Sequence, residues 1–152
     1  MLFQCPVKMN QEYQEYFMRL AIEEAKKGDA PYGTVIVKDH QVVAAAYNTV
    51  RRDSDPSAHA EINVIRSLTA QLKKPSLEGY CIYTTGEPCP MCATACVWAG
   101  ISEIIYGASI ADLIAIHQGQ ISISCEEVIA KSFREIKVTK GILRKDCLEL
   151  FA

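Results

Sequence analysis

The sequence predicts an α/β fold built on a mixed sheet, and two stretches of the chain carry this prediction. Two β-branched and alanine-rich runs, at 33–38 and 41–47, are separated only by Asp39 and His40, which is typical of an antiparallel hairpin. Residues 80–106 follow a strand–helix–strand order, which favours parallel pairing of the two strands. Antiparallel and parallel pairs are therefore expected in one molecule.

The individual elements follow from hydrophobic spacing and from the residues at their boundaries. Gly28, Pro75 and Gly100 mark the ends of predicted helices, and Pro56 with Ser57 marks the start of one. The predicted helices span residues 13–27, 58–72, 89–99 and the chain from 144 onward, and the predicted strands span 33–38, 41–47, 80–84, 103–106 and 136–139. Residues 108–132 mix helix-like and strand-like pieces and give no clear prediction.

Length and composition predict one globular domain, residues 1–152. Of the 152 residues, 49% are hydrophobic and 22% are charged, enough apolar residues to form a core. The net charge of −2 supplies no basic field of the kind that drives non-specific nucleic-acid binding, so a nucleic-acid partner is disfavoured. No window approaches the roughly 20 apolar residues of a membrane helix, so no membrane partner is expected.

The cysteines favour a reducing compartment. There are seven of them, an odd number, at irregular spacing, and no apolar stretch at the N-terminus is long enough for a signal peptide. A cytoplasmic location is therefore expected. In that compartment, paired cysteines indicate metal binding or catalysis more often than disulfides.

Two short motifs, HAE at 59–61 and EPCPMC at 87–92, supply the residues for chemistry. His59, Cys89 and Cys92 are suitable zinc ligands, and three protein ligands leave a tetrahedral ion one open position. Glu61, two residues beyond the histidine, is placed to move protons to and from whatever fills that position. The pattern H-x-E followed by P-C-x-x-C is the signature of zinc-dependent nucleobase deaminases.

Both motifs are predicted at helix starts, where free N–H groups and the positive end of the helix dipole favour anions. The same surroundings lower a thiol pKa, and the thiolate is the form that binds zinc. Zinc of this kind lowers the pKa of bound water from about 15.7 to about 7 and supplies hydroxide at neutral pH. We therefore predict hydrolytic removal of ammonia from an amidine-like ring carbon, with Glu61 as proton shuttle. A backbone N–H near Cys89 or Ala60 is a candidate for holding the ring.

Two alternative interpretations concern the third helix. A closed structural zinc site needs four ligands, and Cys96, four residues beyond Cys92, is the candidate fourth. Its alanine and valine neighbours favour a buried core thiol instead. Trp98, on the same helix, is expected in the core more readily than at the substrate, and it is kept as a secondary substrate-binding candidate.

The chain resembles the cytidine-deaminase-like superfamily, in the branch that contains guanine, cytosine and tRNA adenosine deaminases. The resemblance runs from residue 13 to about 107, and more weakly to residue 151. It rests on PYGTVIV at 31–37, Asn48, DPSAHAE at 55–61, EPCPMC at 87–92 and IYG at 105–107. It implies a three-layer α/β/α fold around a five-stranded mixed sheet, and a homodimer. It also implies that His59, Cys89 and Cys92 bind Zn²⁺, that Glu61 is the proton shuttle and that Asn48 hydrogen-bonds the substrate ring.

Within this branch, the resemblance is strongest to the guanine and guanosine deaminases. It rests on NTV at 48–50, Trp98 with Ala99, and ADLIAI at 111–116. The expected partner is therefore a small purine base or nucleoside, with guanine preferred. Guanine carries ring N–H donors, so a second acidic residue near the pocket is expected. Asp112 is the first candidate for it, with Glu126 and Glu127 as rivals.

Three other functions stay open at this stage. GILRKDC at 141–147 is similar to the C-terminal region of the tRNA adenosine deaminases, although the net charge and residues 110–118 disfavour RNA. Cytosine deamination is a further alternative. A catalytically inactive, partner-binding subunit is the non-enzymatic one, and the presence of Glu61 argues against it.

Overall fold

A five-stranded mixed sheet lies at the centre of the computed structural model, which describes residues 11–152. Its strands are β1 (Gly33–Lys38), β2 (Gln41–Tyr47), β3 (Cys81–Gly86), β4 (Glu103–Ala108) and β5 (Lys137–Thr139). The spatial order is β2-β1-β3-β4-β5. Strand β1 is antiparallel to β2 and β3, whereas β3, β4 and β5 are parallel. The predicted hairpin and the predicted parallel pair are both confirmed.

The helices of the described residues are α1 (Gln11–Ala25), α2 (Ala60–Leu72), α3 (Pro90–Ala99), α4 (Ile110–Ala115), α5 (Cys125–Ala130) and α6 (Arg144–Glu149). Helix α2 begins two residues later than predicted, because residues 56–59 form the turn that precedes it. Residues 108–132, which gave no clear prediction, contain two helices of six residues each. No helix among the described residues has the length and apolar character needed to cross a membrane.

Alternating strand residues divide the core between the two faces of the sheet, as the period of a β-strand requires. On β1, Val35 and Val37 pack with α1, and Ile36 packs on the opposite face with α2 and α3. The face with α1 also contains Leu113 of α4 and Cys147 of α6, and the opposite face contains Ile129 of α5. The predicted three-layer α/β/α arrangement is confirmed.

A close approach between α1 and the start of β1 depends on Gly33. A Cβ at this position would overlap the carbonyl oxygen of Ala21 and the amide nitrogen of Ala25. The Gly33 N–H also donates to Thr85 Oγ1 across 3.2 Å, which ties the start of β1 to the end of β3. The carboxyl ends of β3 and β4 lie at this same edge of the sheet, and crevices at such edges bind ligands in α/β proteins.

Candidate active site

Two helix starts bring the predicted zinc ligands together. His59 precedes α2 with extended backbone angles, φ −70° and ψ 156°, and Cys89 precedes α3 with φ −63° and ψ 168°. Pro90 occupies the first turn of α3, where its missing N–H removes no helical hydrogen bond. Cys89 thus lies just before the helix rather than within it as predicted, and Cys92 lies in its first turn.

The geometry of these three side chains fits one metal ion. Their ligand atoms all lie within 4.8 Å of one another. His59 Nδ1 is 3.7 Å from Cys89 Sγ and 3.6 Å from Cys92 Sγ. Zinc bound to nitrogen at about 2.0 Å and to sulfur at about 2.3 Å, with tetrahedral angles, places those atoms about 3.5 Å apart. His59, Cys89 and Cys92 are therefore positioned to bind zinc.

The two thiols differ in acidity. The hydrogen bond with Cys92, followed by that with His59, lowers the pKa of Cys89 to about 4 despite its burial. The same pairing with Cys89, reinforced by burial, raises the pKa of Cys92. The hydrogen bond with Cys89 also raises the pKa of His59. The lowered pKa of Cys89 favours its thiolate, which is the form of cysteine that zinc binds.

Glu61 lies in the first turn of α2 and is almost fully buried, with 5% of its surface exposed. Burial, followed by the negative charge of Cys89, raises the pKa of this carboxyl group. Thr84 Oγ1 at the end of β3 donates to Glu61 Oε1 across 3.3 Å. A carboxyl group with a raised pKa beside a metal site is suited to accept and then return a proton.

The ligands open onto a cavity of about 390 Å³, a volume typical of small-molecule sites. The described residues that line it are Tyr32, Asn48, His59, Glu61, Gly86, Glu87, Cys89, Gly119, Gln120 and Ile121. No lysine or arginine is among these lining residues. The cavity lining thus contains two acids, Glu61 and Glu87, and part of its wall is made from the loop that follows α4.

Asn48, predicted to contact the substrate, lies at the end of β2 with 6% of its surface exposed. Its Oδ1 accepts a hydrogen bond of 3.1 Å from the Val50 N–H. The amide nitrogen can donate to a ligand in the cavity that Asn48 lines, and the oxygen keeps a second lone pair. The side chain thus caps the end of the strand and also lines the cavity.

Trp98 and Asp112, also predicted to contact the substrate, lie outside the cavity. Trp98 is 74% exposed, and its ring packs against Phe133 with centroids 5.4 Å apart. Asp112 is held by Arg144, which donates from Nε across 2.8 Å and from Nη2 across 2.6 Å. Neither position supports the predicted contact. The sequence around both residues resembles that of the guanine deaminases. In the structure, however, Trp98 lies on the exposed face of α3, and Asp112 caps the start of α4.

The remaining predicted positions are placed as follows. Ala60 is the first residue of α2, directly after His59, and is fully buried. Cys96 is buried in the apolar core and does not belong to the cluster of ligand atoms, as expected of a core thiol. Glu126 and Glu127 lie on α5 and do not line the cavity, and Glu126 pairs with Lys140 across 3.0 Å. The homodimer stays a prediction.

Replacing Asp112 with alanine should destabilise the fold without removing a cavity residue. Asp112 and Ser109 form a capping box at the start of α4, and the carboxylate also joins α4 to α6 through Arg144. Loss of a cap costs about 1 kcal/mol. We expect urea unfolding at pH 7 to show a loss of about this size, and Glu149→Ala, at an exposed position of α6, serves as the control.

This destabilisation should also depend on pH. The hydrogen bond with Arg144 lowers the pKa of Asp112 from 3.8 to about 2. A lowered pKa means that the carboxylate contributes stability above about pH 4 and that this contribution is lost as the pH falls toward 2. The stability difference between wild type and Asp112→Ala should therefore shrink over that interval. A difference that is constant with pH would contradict a role for the charged carboxylate.

Six cavity residues were not predicted from the sequence, and three of them have polar side chains: Tyr32, Glu87 and Gln120. Glu87 is buried, and its two oxygens accept from the Ile110 and Cys125 N–H groups, each across 2.8 Å. These bonds hold the starts of α4 and α5, and the loop between the two helices supplies part of the cavity wall. The position of Glu87 within EPCPMC was the one available signal. Tyr32 and Gln120 meet across 88 residues, and no local pattern indicates such a contact.

The family model that matches this chain and three of its relatives are deaminases. Residues 11–108 match the cytidine and deoxycytidylate deaminase zinc-binding region. The chain is 40% identical over 99 residues to a tRNA-specific adenosine deaminase of Aquifex aeolicus, covering 62% of this chain and 66% of that protein. It is 31% identical over 157 residues to the tRNA-specific adenosine deaminase of Bacillus subtilis, covering 89% of this chain and 98% of the relative. The guanine deaminase of Bacillus subtilis is 38% identical over 103 residues, covering 64% and 66%.

Solved structures agree with the fold. One, from a study of A-to-I editing by tRNA:A34 deaminases, has a TM-score of 0.77 and 33% identity, covering 89% of this chain and 98% of the other. A variant of the protein NE0047 in complex with 8-azaguanine has a TM-score of 0.82 and 26% identity, covering 91% and 82%. With the HAE and PCxxC residues gathered around one metal position, the chain belongs to the cytidine and deoxycytidylate deaminase zinc-binding family.

Proposed function

We propose that this protein deaminates adenosine in tRNA to inosine. The observation that carries the proposal is the hydrogen-bonding character of the cavity. Asn48 presents an amide nitrogen, and Tyr32 presents a hydroxyl group. Both groups can donate a hydrogen bond, and the ring nitrogens of adenine are acceptors. The amine of adenine, its one exocyclic donor, is the group that leaves.

The same observation weighs against the guanine preference predicted from the sequence. That preference required a second carboxylate to accept from the N–H groups of the guanine ring. Asp112 is bound to Arg144 away from the cavity, and both oxygens of Glu87 are engaged by backbone N–H groups. Glu61 is the remaining carboxylate in the lining, and it is needed for proton transfer. The relatives named as tRNA-specific adenosine deaminases support the same choice.

In the proposed reaction, metal binding, proton transfer and substrate positioning are carried out by different residues. His59, Cys89 and Cys92 would hold Zn²⁺, which supplies a water molecule of lowered pKa next to the substrate. Glu61 takes a proton from the attacking water and delivers it to ring nitrogen N1 as the new C6–O bond forms. It then transfers the second proton to the amine, the C6–N bond breaks and ammonia leaves. Asn48 holds the ring in place through its amide nitrogen.

A second candidate substrate is guanine or guanosine. Gln120 also lines the cavity, and its Oε1 is an acceptor to which no hydrogen bond is donated by the described residues. The lining contains no lysine or arginine for phosphate groups. The similarity to a structure that holds 8-azaguanine agrees with a free base. This candidate therefore differs from the first in requiring no nucleic acid.

A substrate panel separates the two candidates. Zinc-loaded protein is incubated with an anticodon stem–loop RNA that carries adenosine at the wobble position, and separately with guanine, guanosine, cytosine and adenine, and ammonia and inosine are measured. We expect conversion of the RNA alone, with a KM that rises steeply with salt because phosphate contacts release counterions. Turnover of guanine or guanosine without turnover of the RNA would replace the proposal by the second candidate. Ammonia from none of them would indicate an inactive subunit.

A further inference from the structure

Tyr32 and Gln120 form a hydrogen-bonded pair within the cavity. Tyr32 directly precedes β1, and Gln120 belongs to the loop between α4 and α5. Gln120 Nε2 donates to Tyr32 Oη across 3.3 Å, and both residues line the cavity with His59 and Glu61. The pair is thus the point at which the outer wall of the cavity is joined to the edge of the sheet.

The ring of Tyr32 is fixed on two sides. The Phe151 ring meets it edge-on, with centroids 5.3 Å apart and planes at 67°. Gly86, at the end of β3, lies beneath the ring, and a Cβ at that position would be 3.1 Å from Tyr32 Cε1. A ring held in this way presents its hydroxyl group at a constant position. These packing contacts involve the ring alone, so they do not explain why the residue carries a hydroxyl.

The bonding pattern leaves the Tyr32 hydroxyl with a hydrogen to donate. Its oxygen accepts from Gln120, so the hydroxyl hydrogen is not used in that bond. Burial, opposed by the Gln120 hydrogen bond and aided by the charges of Glu61 and Cys89, raises the pKa of Tyr32. The hydroxyl group therefore stays protonated at neutral pH. A partly buried donor without a partner costs free energy, so a ligand that supplies an acceptor opposite it binds more tightly.

We propose that the Tyr32 hydroxyl donates a hydrogen bond to a purine ring nitrogen, N3 or N7, and that Gln120 orients it. This inference rests on the proposed function and makes it more specific. Tyr32 acts as a specificity-determining residue that touches the substrate, and Gln120 acts through Tyr32 as a positioning residue. The pair favours bases that have an unprotonated nitrogen at this position and disfavours bases with a C–H there.

The test combines one variant with substrates that lack single acceptors. Tyr32→Phe keeps the ring contacts with Phe151 and Gly86 and removes only the hydroxyl. Tyr16→Phe, at a residue that is 55% exposed and packs against Phe17, is the matched control. The substrates are three stem–loop RNAs, with adenosine, 3-deazaadenosine or 7-deazaadenosine at the wobble position. For each one, kcat and KM are determined separately, and thermal unfolding of both variants is measured.

For wild type and Tyr16→Phe, we expect kcat/KM on one of the two deaza substrates to be about 10-fold lower than on adenosine. A fall of this size corresponds to the loss of one hydrogen bond. Tyr32→Phe should show a loss of similar size on adenosine, mainly in KM, and no further loss on that deaza substrate. Gln120→Leu should reduce the discrimination without abolishing it. Tyr32→Phe that still discriminates as the wild type does would overturn the inference.

Failure of the inference about Tyr32 can be distinguished from failure of the proposed function. Wild type that converts the RNA supports the proposed function, whatever Tyr32→Phe does. Wild type that converts guanine instead removes the proposed function, and the same variants are then compared on guanine, 3-deazaguanine and 7-deazaguanine. Loss of discrimination in Tyr32→Phe with that series would retain the hydrogen bond from Tyr32 with another purine. Unchanged discrimination in both series would contradict it.

Discussion

Glu61→Gln is expected to keep the fold and the zinc while lowering turnover by about 100-fold or more. Glutamine has the shape of glutamate and can still accept a hydrogen bond from Thr84, which donates to Glu61 Oε1 across 3.3 Å. It cannot take a proton from water and pass it on. General acid–base groups contribute about 10²–10⁴-fold to rates, and the proposed reaction would use Glu61 twice. The measurements are kcat on the active substrate and zinc per chain.

A matched variant shows whether the effect comes from charge alone. Glu78→Gln removes one carboxylate at an exposed position near the start of β3, and it should leave kcat unchanged. Zinc content should equal that of wild type in both variants, because neither glutamate belongs to the ligand cluster. Near-normal activity in Glu61→Gln would remove Glu61 from the mechanism. Loss of zinc together with activity would show that Glu61 supports the metal site instead.

The parts of the structure that could be predicted are those encoded by local spacing. Alternation along β1 sends Val35 and Ile36 to opposite faces, and the two turn residues Asp39 and His40 determine the hairpin. The ligand positions follow equally directly, since HAE and PCxxC each begin a helix. In all these cases the information lies within a few residues of chain.

The cavity wall could not be predicted, because the interactions that build it are distant in sequence. Helices α4 and α5 are only six residues long, too short for a clear helical period. The N–H groups of Ile110 and Cys125 both bind the Glu87 carboxylate, 23 and 38 residues away. The charge of Asp112 predicts a substrate contact, whereas its position three residues after Ser109 is that of a capping box, and the structure shows the capping box.

Cys92→Ala is expected to lose zinc and, with it, all measurable turnover. Cys92 is fully buried, and its Sγ is one of the three ligand atoms within 4.8 Å of one another. Two remaining ligands, His59 and Cys89, leave too few protein donors for the three-ligand site that catalytic zinc requires. Metal content by mass spectrometry and ammonia release are the two measurements. Retained stoichiometric zinc would show that Cys92 is misassigned.

Cys96→Ala is the matched control, because it removes the same atom one turn further along α3. Cys96 is also fully buried, but it packs among apolar residues of the core. We expect zinc and turnover to be retained, with a modest loss of stability from the small cavity that remains. Loss of zinc in this variant would instead support the closed, four-ligand structural site.

Removal of zinc by a chelator tests whether the bound metal stabilises the fold. A ligand that binds the native state alone raises stability with its free concentration, so removing zinc should lower the unfolding temperature of wild type. Cys96→Ala should respond to a chelator in the same way, because its three ligands are intact. Cys92→Ala should not respond, since it has no zinc to lose. This pattern distinguishes loss of the metal from damage to the core. A damaged core would lower the unfolding temperature by the same amount with and without chelator.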